Sequence, residues 1–83
     1  MIKIIKQKNN MVILEDENAK YLYSYNTCIA KQYHNYKNIE LDINYWEYST
    51  TTGKHRNEFL GETKSETQAK INSGEYKLTD LNK

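Results

Sequence analysis

The chain has no proline, three glycines and one cysteine in 83 residues. No flexible linker is visible, and a single thiol allows neither an intramolecular disulfide nor a cysteine-based zinc site. No apolar run approaches the ~20 residues of a membrane-spanning helix. The N-terminal stretch is too poor in apolar residues for a signal peptide, so a cytoplasmic protein in a reducing cell is expected. An excess of either charge is missing too: 12 basic and 11 acidic residues leave a net charge of +1, and lysine outnumbers arginine eleven to one. Nucleic-acid modules usually carry a clear basic surplus, because releasing phosphate counterions supplies much of their affinity. A mimic of nucleic acid would be strongly acidic. This chain is neither.

What is present is aromatic. Tyr21, Tyr23 and Tyr25 fall in one hydroxyl-rich segment, and Tyr45, Trp46 and Tyr48 in a second. The length makes one domain, residues 1–83, which buries about 60–65% of its unfolded surface around a modest core. Eight isoleucines, eight tyrosines and a tryptophan can fill it. Cys28, among strand-forming residues, reads as a small buried hydrophobe. The basic Lys3, Lys6 and Lys8 and the acidic Glu15-Asp16-Glu17 and Glu40/Asp42 clusters read as solvated edges and turns.

The order of patterns gives a fold. Ile2–Lys6 and Met11–Leu14 are β-branched runs around Asn9-Asn10, which suits a hairpin turn. One long strand is predicted from Tyr21 to about Tyr33, with Leu22, Ser24, Asn26, Cys28 and Ala30 sharing the face under a helix. After a turn at His34–Asn38 comes a strand with Ile39, Leu41, Ile43 and Tyr45 inward and Glu40, Asp42 and Asn44 outward. Trp46 and Tyr48 break that phase, so either a bulge keeps the core continuous or the aromatics lie exposed on a binding surface. Thr50-Thr51-Thr52 caps a helix that Gly61 ends, and Thr63 with Glu66 forms a capping box for a second helix that Gly74 closes. Tyr76–Leu81 is either a last strand or a frayed end. The expected class is α+β: an antiparallel sheet of about four strands with one or two C-terminal helices packed on one face.

Chemistry is sparse. Thr51, Thr52, Lys54, His55 and Arg56 place hydroxyls and basic groups at a helix start, a setting that suits an anion or a nucleic-acid phosphate. This is not a nucleotide-hydrolase phosphate loop: Tyr48 stands where its first glycine belongs, and His55 where its Ser or Thr belongs. No acid pair stands out for hydrolysis, and the serines lack a glycine-flanked elbow. With His34 and His55 the only imidazoles, no metal site and no cofactor are expected, and neither is an enzyme. Tyr23, Tyr25, Trp46 and Tyr48 are the candidate partner-binding residues, since tyrosine and tryptophan give large contact area for little lost rotamer freedom.

The series Tyr23-Ser24-Tyr25-Asn26-Thr27-x-Ile29-Ala30, then Tyr48-Ser49-x-Thr51-Thr52-x-x-His55 and Phe59-Leu60, resembles a small domain of unknown function found in short proteins of bacteriophages and mobile elements. The resemblance spans roughly residues 20 to 74 and implies a phage-like source without an activity. Together these readings lead to a non-catalytic inhibitor that occupies a functional surface on a host or defence protein, in the manner of anti-CRISPR proteins. The alternative is a small nucleic-acid-binding accessory protein, with Lys54, His55 and Arg56 on phosphate and Tyr23, Tyr25 and Tyr48 stacking on bases. Either a monomer or a homodimer fits, and no membrane partner is expected.

Overall fold

The computed structural model describes residues 1–34 and 38–83. Six strands run in sequence order across one sheet: β1 (Lys3–Lys8), β2 (Met11–Glu15), β3 (Ala19–Ser24), β4 (Thr27–Tyr33), β5 (Ile39–Asp42) and β6 (Tyr76–Thr79). β1 to β5 are antiparallel neighbours, and β6 returns parallel to β5 after two helices, α1 (Thr50–Leu60) and α2 (Lys64–Asn72). The protein is therefore α+β, as its patterns predict. The first hairpin turns at Asn9, whose φ of 45° is one that asparagine tolerates. The middle of the turn expected over residues 34–38 lies outside the described residues.

The sheet has two strands more than the expected four, because one run is cut into a hairpin and Tyr76–Thr79 forms a last strand. The long strand predicted from Tyr21 to Tyr33 is a hairpin: Tyr25 (φ 52°) and Asn26 (φ 65°) are both left-handed, and Ser24 pairs with Thr27. Two positive φ values in a two-residue loop are the geometry that matches the twist of the flanking strands. The run from Ile39 to Tyr45 likewise stops at Asp42. Asp42, expected outward, is fully buried, and its carboxylate accepts from the backbone N–H groups of Asn44, Tyr45 and Leu81 and from the Asn82 amide. Turning the chain there resets the alternation, so Ile43 is 54% exposed while Trp46 is only 5% exposed.

Register assigns the faces, because residues paired across antiparallel strands project to the same side. Met11 opposes Ser24, and Ile13 opposes Leu22, Ala30 and Leu41 in turn across the sheet. These side chains are buried with Ile29, Trp46 and Tyr76, and Phe59, Leu60 and Ile71 of the helices pack on them. Ile29 reaches that layer through a bulge between the Leu22 and Tyr23 pairings. The same bulge sends Cys28 to the far side with Tyr23, against the expected placement beside Ala30. Tyr21, Tyr23 and Lys31 share that far face, where the Lys31 ammonium lies 5.5 Å from the Tyr21 ring centroid and 4.4 Å from that of Tyr33.

Gly61 and the Thr63/Glu66 box cap the helices as expected, whereas the C-cap of α2 is Ser73, one residue before the expected Gly74, which follows at φ 86°. Ser49, one residue before the threonines expected to cap, is the N-cap of α1 and accepts from Thr52 N–H, while Gly61 closes it at φ 69°. Thr63 and Glu66 complete the capping box of α2. At the sheet edge β1 keeps every residue exposed, with Ile4 and Ile5 among them. Its bulge between Ile4 and Lys6 and its lysines are devices that discourage a further strand from adding there.

Candidate functional site

The first turns of α1 separate two concave surfaces, and the residues singled out in the sequence divide between them. On one side the β3–β4 turn and the 43–48 turn bring Tyr25, Tyr45 and Tyr48 around a cavity of about 220 Å³ floored by Ser24, Thr27, Ile29 and Thr52. Tyr45 and Tyr48 lie with ring centroids 5.4 Å apart, and Tyr25 is 6.3 Å from the His55 ring. Tyr25 and Tyr48 are 50% and 68% exposed.

A hydroxyl network forms the floor. Ser24 Oγ lies 2.8 Å from His55 Nδ1 and 3.3 Å from Thr52 Oγ1, and Ser49 Oγ donates to Thr52 Oγ1 at 3.2 Å. Burial lowers the His55 pKa, with Glu58 opposing that shift and Lys8 adding to it. A serine beside a histidine invites comparison with a nucleophile and its base. Ser24 is only 2% exposed, however, and among the described residues no carboxylate hydrogen-bonds the imidazole to orient it. These contacts join β3 to the start of α1 beneath the tyrosines.

On the other side of α1 a cavity of about 430 Å³ is lined by Glu47, Ser49, Thr50, Gly53, Lys54, Arg56, Asn57 and Lys64. Arg56 is 1% exposed. Its Nη1 donates to the Trp46 carbonyl at 2.7 Å and its Nη2 to Asn57 Oδ1 at 3.0 Å, while the guanidinium carbon stands 5.3 Å from the Trp46 ring centroid. Lys64 pairs with Glu47 at 3.1 Å.

A model of a family of unknown function, DUF8033, matches residues 3–75. The chain belongs to that family. The match extends beyond residues 20–74, where the motif resemblance lies, and takes in the whole N-terminal hairpin of this DUF8033 member. No curated protein and no solved structure matches the chain.

The partner set read from the sequence is thus only partly brought together. Tyr25 and Tyr48 share the aromatic pocket. Tyr23 is half-buried on the opposite face of the sheet, and Trp46 belongs to the core, because the Asp42 turn points its ring inward. The anion set splits as well. Lys54 and Arg56 line the second cavity, whereas Thr52 and His55 face Ser24, and Thr51 is exposed outside both linings. Tyr45, expected inward, instead joins the tyrosine rim, and Lys64, one position after the Thr63 cap, lines the second cavity. Among the described residues no three His, Cys, Asp or Glu side chains gather as they would around a metal ion, and no helix is long and apolar enough to cross a membrane.

Proposed function

We propose that this protein is a non-catalytic binding protein that inserts its tyrosine rim, Tyr25, Tyr45 and Tyr48, into a contact with a partner protein. The observation that carries this reading is the backbone of Tyr25. An aromatic residue at φ 52° occupies a turn position that glycine or asparagine fills at least cost, and it stays half exposed beside the pocket. Strain of this kind persists where a side chain is required at that spot. Three tyrosines around a cavity of about 220 Å³ offer room for one side chain of a partner, with Ser24 and Thr52 hydroxyls at its base. Large, rigid, amphipathic rings with few rotatable bonds are what interface hot spots favour.

The partner we propose is a host or defence protein inhibited by occupation of its functional surface, as anti-CRISPR proteins do, with the protein itself of bacteriophage or mobile-element origin. Support for this comes from the small size, the near-neutral charge and the motif resemblance. A pull-down from a Gram-positive host lysate, run with the unaltered protein and with Tyr25→Asn, Tyr48→Ser, tests it. Both substitutions are on exposed positions, so the fold persists. Capture of an enzyme whose activity falls on binding, lost in the double variant, is expected. Identical capture by both proteins would overturn the reading.

The nucleic-acid alternative, with Lys54, His55 and Arg56 on phosphate and Tyr23, Tyr25 and Tyr48 stacking, loses support because these residues are divided among different surfaces. The observation that still favours it is Lys31 against the Tyr21 and Tyr33 rings. This alternative requires oligonucleotide binding that weakens steeply with salt. No binding at ~50 mM salt, where screening leaves phosphate contacts intact, would exclude it.

A further inference from the structure

The one arginine in a chain with eleven lysines is buried in the wall of the cavity beside α1. A buried guanidinium is ordinarily matched by a carboxylate. Here its acceptors are two neutral groups, the Trp46 carbonyl and Asn57 Oδ1, and its Nε has no acceptor among the described residues. The carboxylates that influence it are committed elsewhere: Glu47 pairs with Lys64, and Glu62 accepts from Lys70, Thr67 and Tyr76. The guanidinium folds back along the helix, so that a Cβ on Gly53 would stand 3.6 Å from Nη2. Gly53 lines the same cavity, and so do the exposed Lys54 and Lys64. The start of α1 supplies the rest: Ser49 satisfies the N–H groups of Thr52 and Gly53, which leaves those of Thr50 and Thr51 as the ones a helix start does not bond internally.

We infer that this cavity is an anion site and that it takes a phosphate monoester group. Three cationic side chains and one carboxylate line it, and main-chain N–H groups at the helix start carry partial positive charge toward it. A phosphate dianion matches this set better than a carboxylate does, because it offers three acceptor oxygens to donors arriving from α1, from Lys54 and from Lys64, while the buried Arg56 guanidinium adds positive charge from the wall. Glu47 is the built-in competitor: it holds Lys64 while no other anion does. The site stands on a different wall of α1 from the tyrosine pocket, and the two readings fail or survive independently.

Amide chemical-shift titrations with inorganic phosphate, against sodium chloride at matched ionic strength, test the inference. Phosphoserine and a nucleoside 5′-monophosphate serve as further probes. Saturable shifts at Thr50, Gly53, Lys54 and Lys64 are expected with phosphate and not with chloride. Lys54→Ala with Lys64→Ala, both on exposed positions, should weaken binding by about tenfold or more. Glu47→Gln should tighten it, an effect that a purely structural role for the cluster would not produce. Tighter binding of phosphoserine than of phosphate assigns the group to a phosphorylated polypeptide, and tighter binding of the nucleotide assigns it to a nucleotide. Non-saturating shifts that chloride reproduces, unchanged affinity in the double-lysine variant, or no gain with Glu47→Gln would overturn the proposal.

Discussion

Ser24 on β3 and His55 on α1 meet through a hydroxyl–imidazole contact of 2.8 Å, and this contact ties the helix to the sheet beneath the tyrosine pocket. Because burial lowers the His55 pKa from 6.5, the unfolded chain binds the proton first as the pH falls. Stability from this group is therefore complete above the unfolded value and is lost as the pH drops from there through the lowered folded value. Urea unfolding between pH 5 and 8 should show that loss, and His55→Gln should flatten it. A His55 ring titrating at or above its ordinary value by NMR would contradict the burial described for it.

Trp46 and Tyr48 should respond oppositely to truncation. Trp46→Ala empties a core site and removes the ring against which Arg56 lies, so a loss of roughly 3–5 kcal/mol is expected. Tyr48, 68% exposed, should change stability by about 0.5 kcal/mol or less when cut to alanine. Chemical denaturation monitored by far-ultraviolet circular dichroism measures both, and comparable losses would show that the two rings share one environment.

The β3–β4 turn should be improvable. Tyr25→Asn and Asn26→Gly each place a residue that tolerates positive φ better, and each should stabilise the protein by about 0.5–1 kcal/mol. Tyr25→Asn should at the same time weaken capture of the partner, whereas Asn26→Gly should leave it intact. A destabilised Asn26→Gly variant would argue that the turn adopts another conformation in solution.

The C-terminal tail is held by side-chain amides rather than by a strand. Asn82 Oδ1 accepts from Cys28 N–H at 2.8 Å, its Nδ2 donates to the Cys28 carbonyl at 2.9 Å, and the same Nδ2 reaches Asp42. Asp42→Ala removes the acceptor for that amide and for the N–H groups of Asn44, Tyr45 and Leu81, and should cost roughly 2–3 kcal/mol. Asn82→Ala should cost about 1 kcal/mol. Equal melting curves for the two variants would show that the tail, not the Asp42 turn, carries the effect.

Cys28 should be inert. Burial, reinforced by the nearby Asp42 charge, pushes its thiol up to about 11, which leaves almost no thiolate at neutral pH. Reaction with a disulfide reagent at pH 7.5 should be slow in the folded protein and immediate in urea. Fast labelling of the native state would place the thiol at the surface.

The helices were legible because their signals are local: Gly61 in the left-handed cap and the Thr63/Glu66 box act within a few residues of themselves. Strand breaks were not. The alternation Tyr21-x-Tyr23-x-Tyr25-x-Thr27 reads as one strand because tyrosine is a strand former, and the single local cue to the reversal is Asn26, which tolerates positive φ. Asp42 looked like an outward strand acid because its value lies in N–H groups that arrive from residues 81 and 82, far along the chain. Of the candidate site, Tyr25 and Tyr48 were visible as exposed aromatics and Lys54 and Arg56 as helix-start cations. Their division between two sides of α1 follows from which helix face Ser24 engages, which spacing alone does not state.

The parallel pairing of β6 with β5 has a consequence for how the molecule assembles. The meander from β1 to β4 closes short loops, but Ile39 meets Tyr76 only across a separation of 37 positions (76 − 39), over a segment that contains both helices. Closing that long loop costs entropy that no local contact repays until the helices dock, so the meander forms early and β6 seals the sheet last. Until then the Ile39–Asp42 strand is an open edge beside buried Leu41, which makes the interval before β6 arrives the time at which this small protein is most exposed to sticking to another copy of itself.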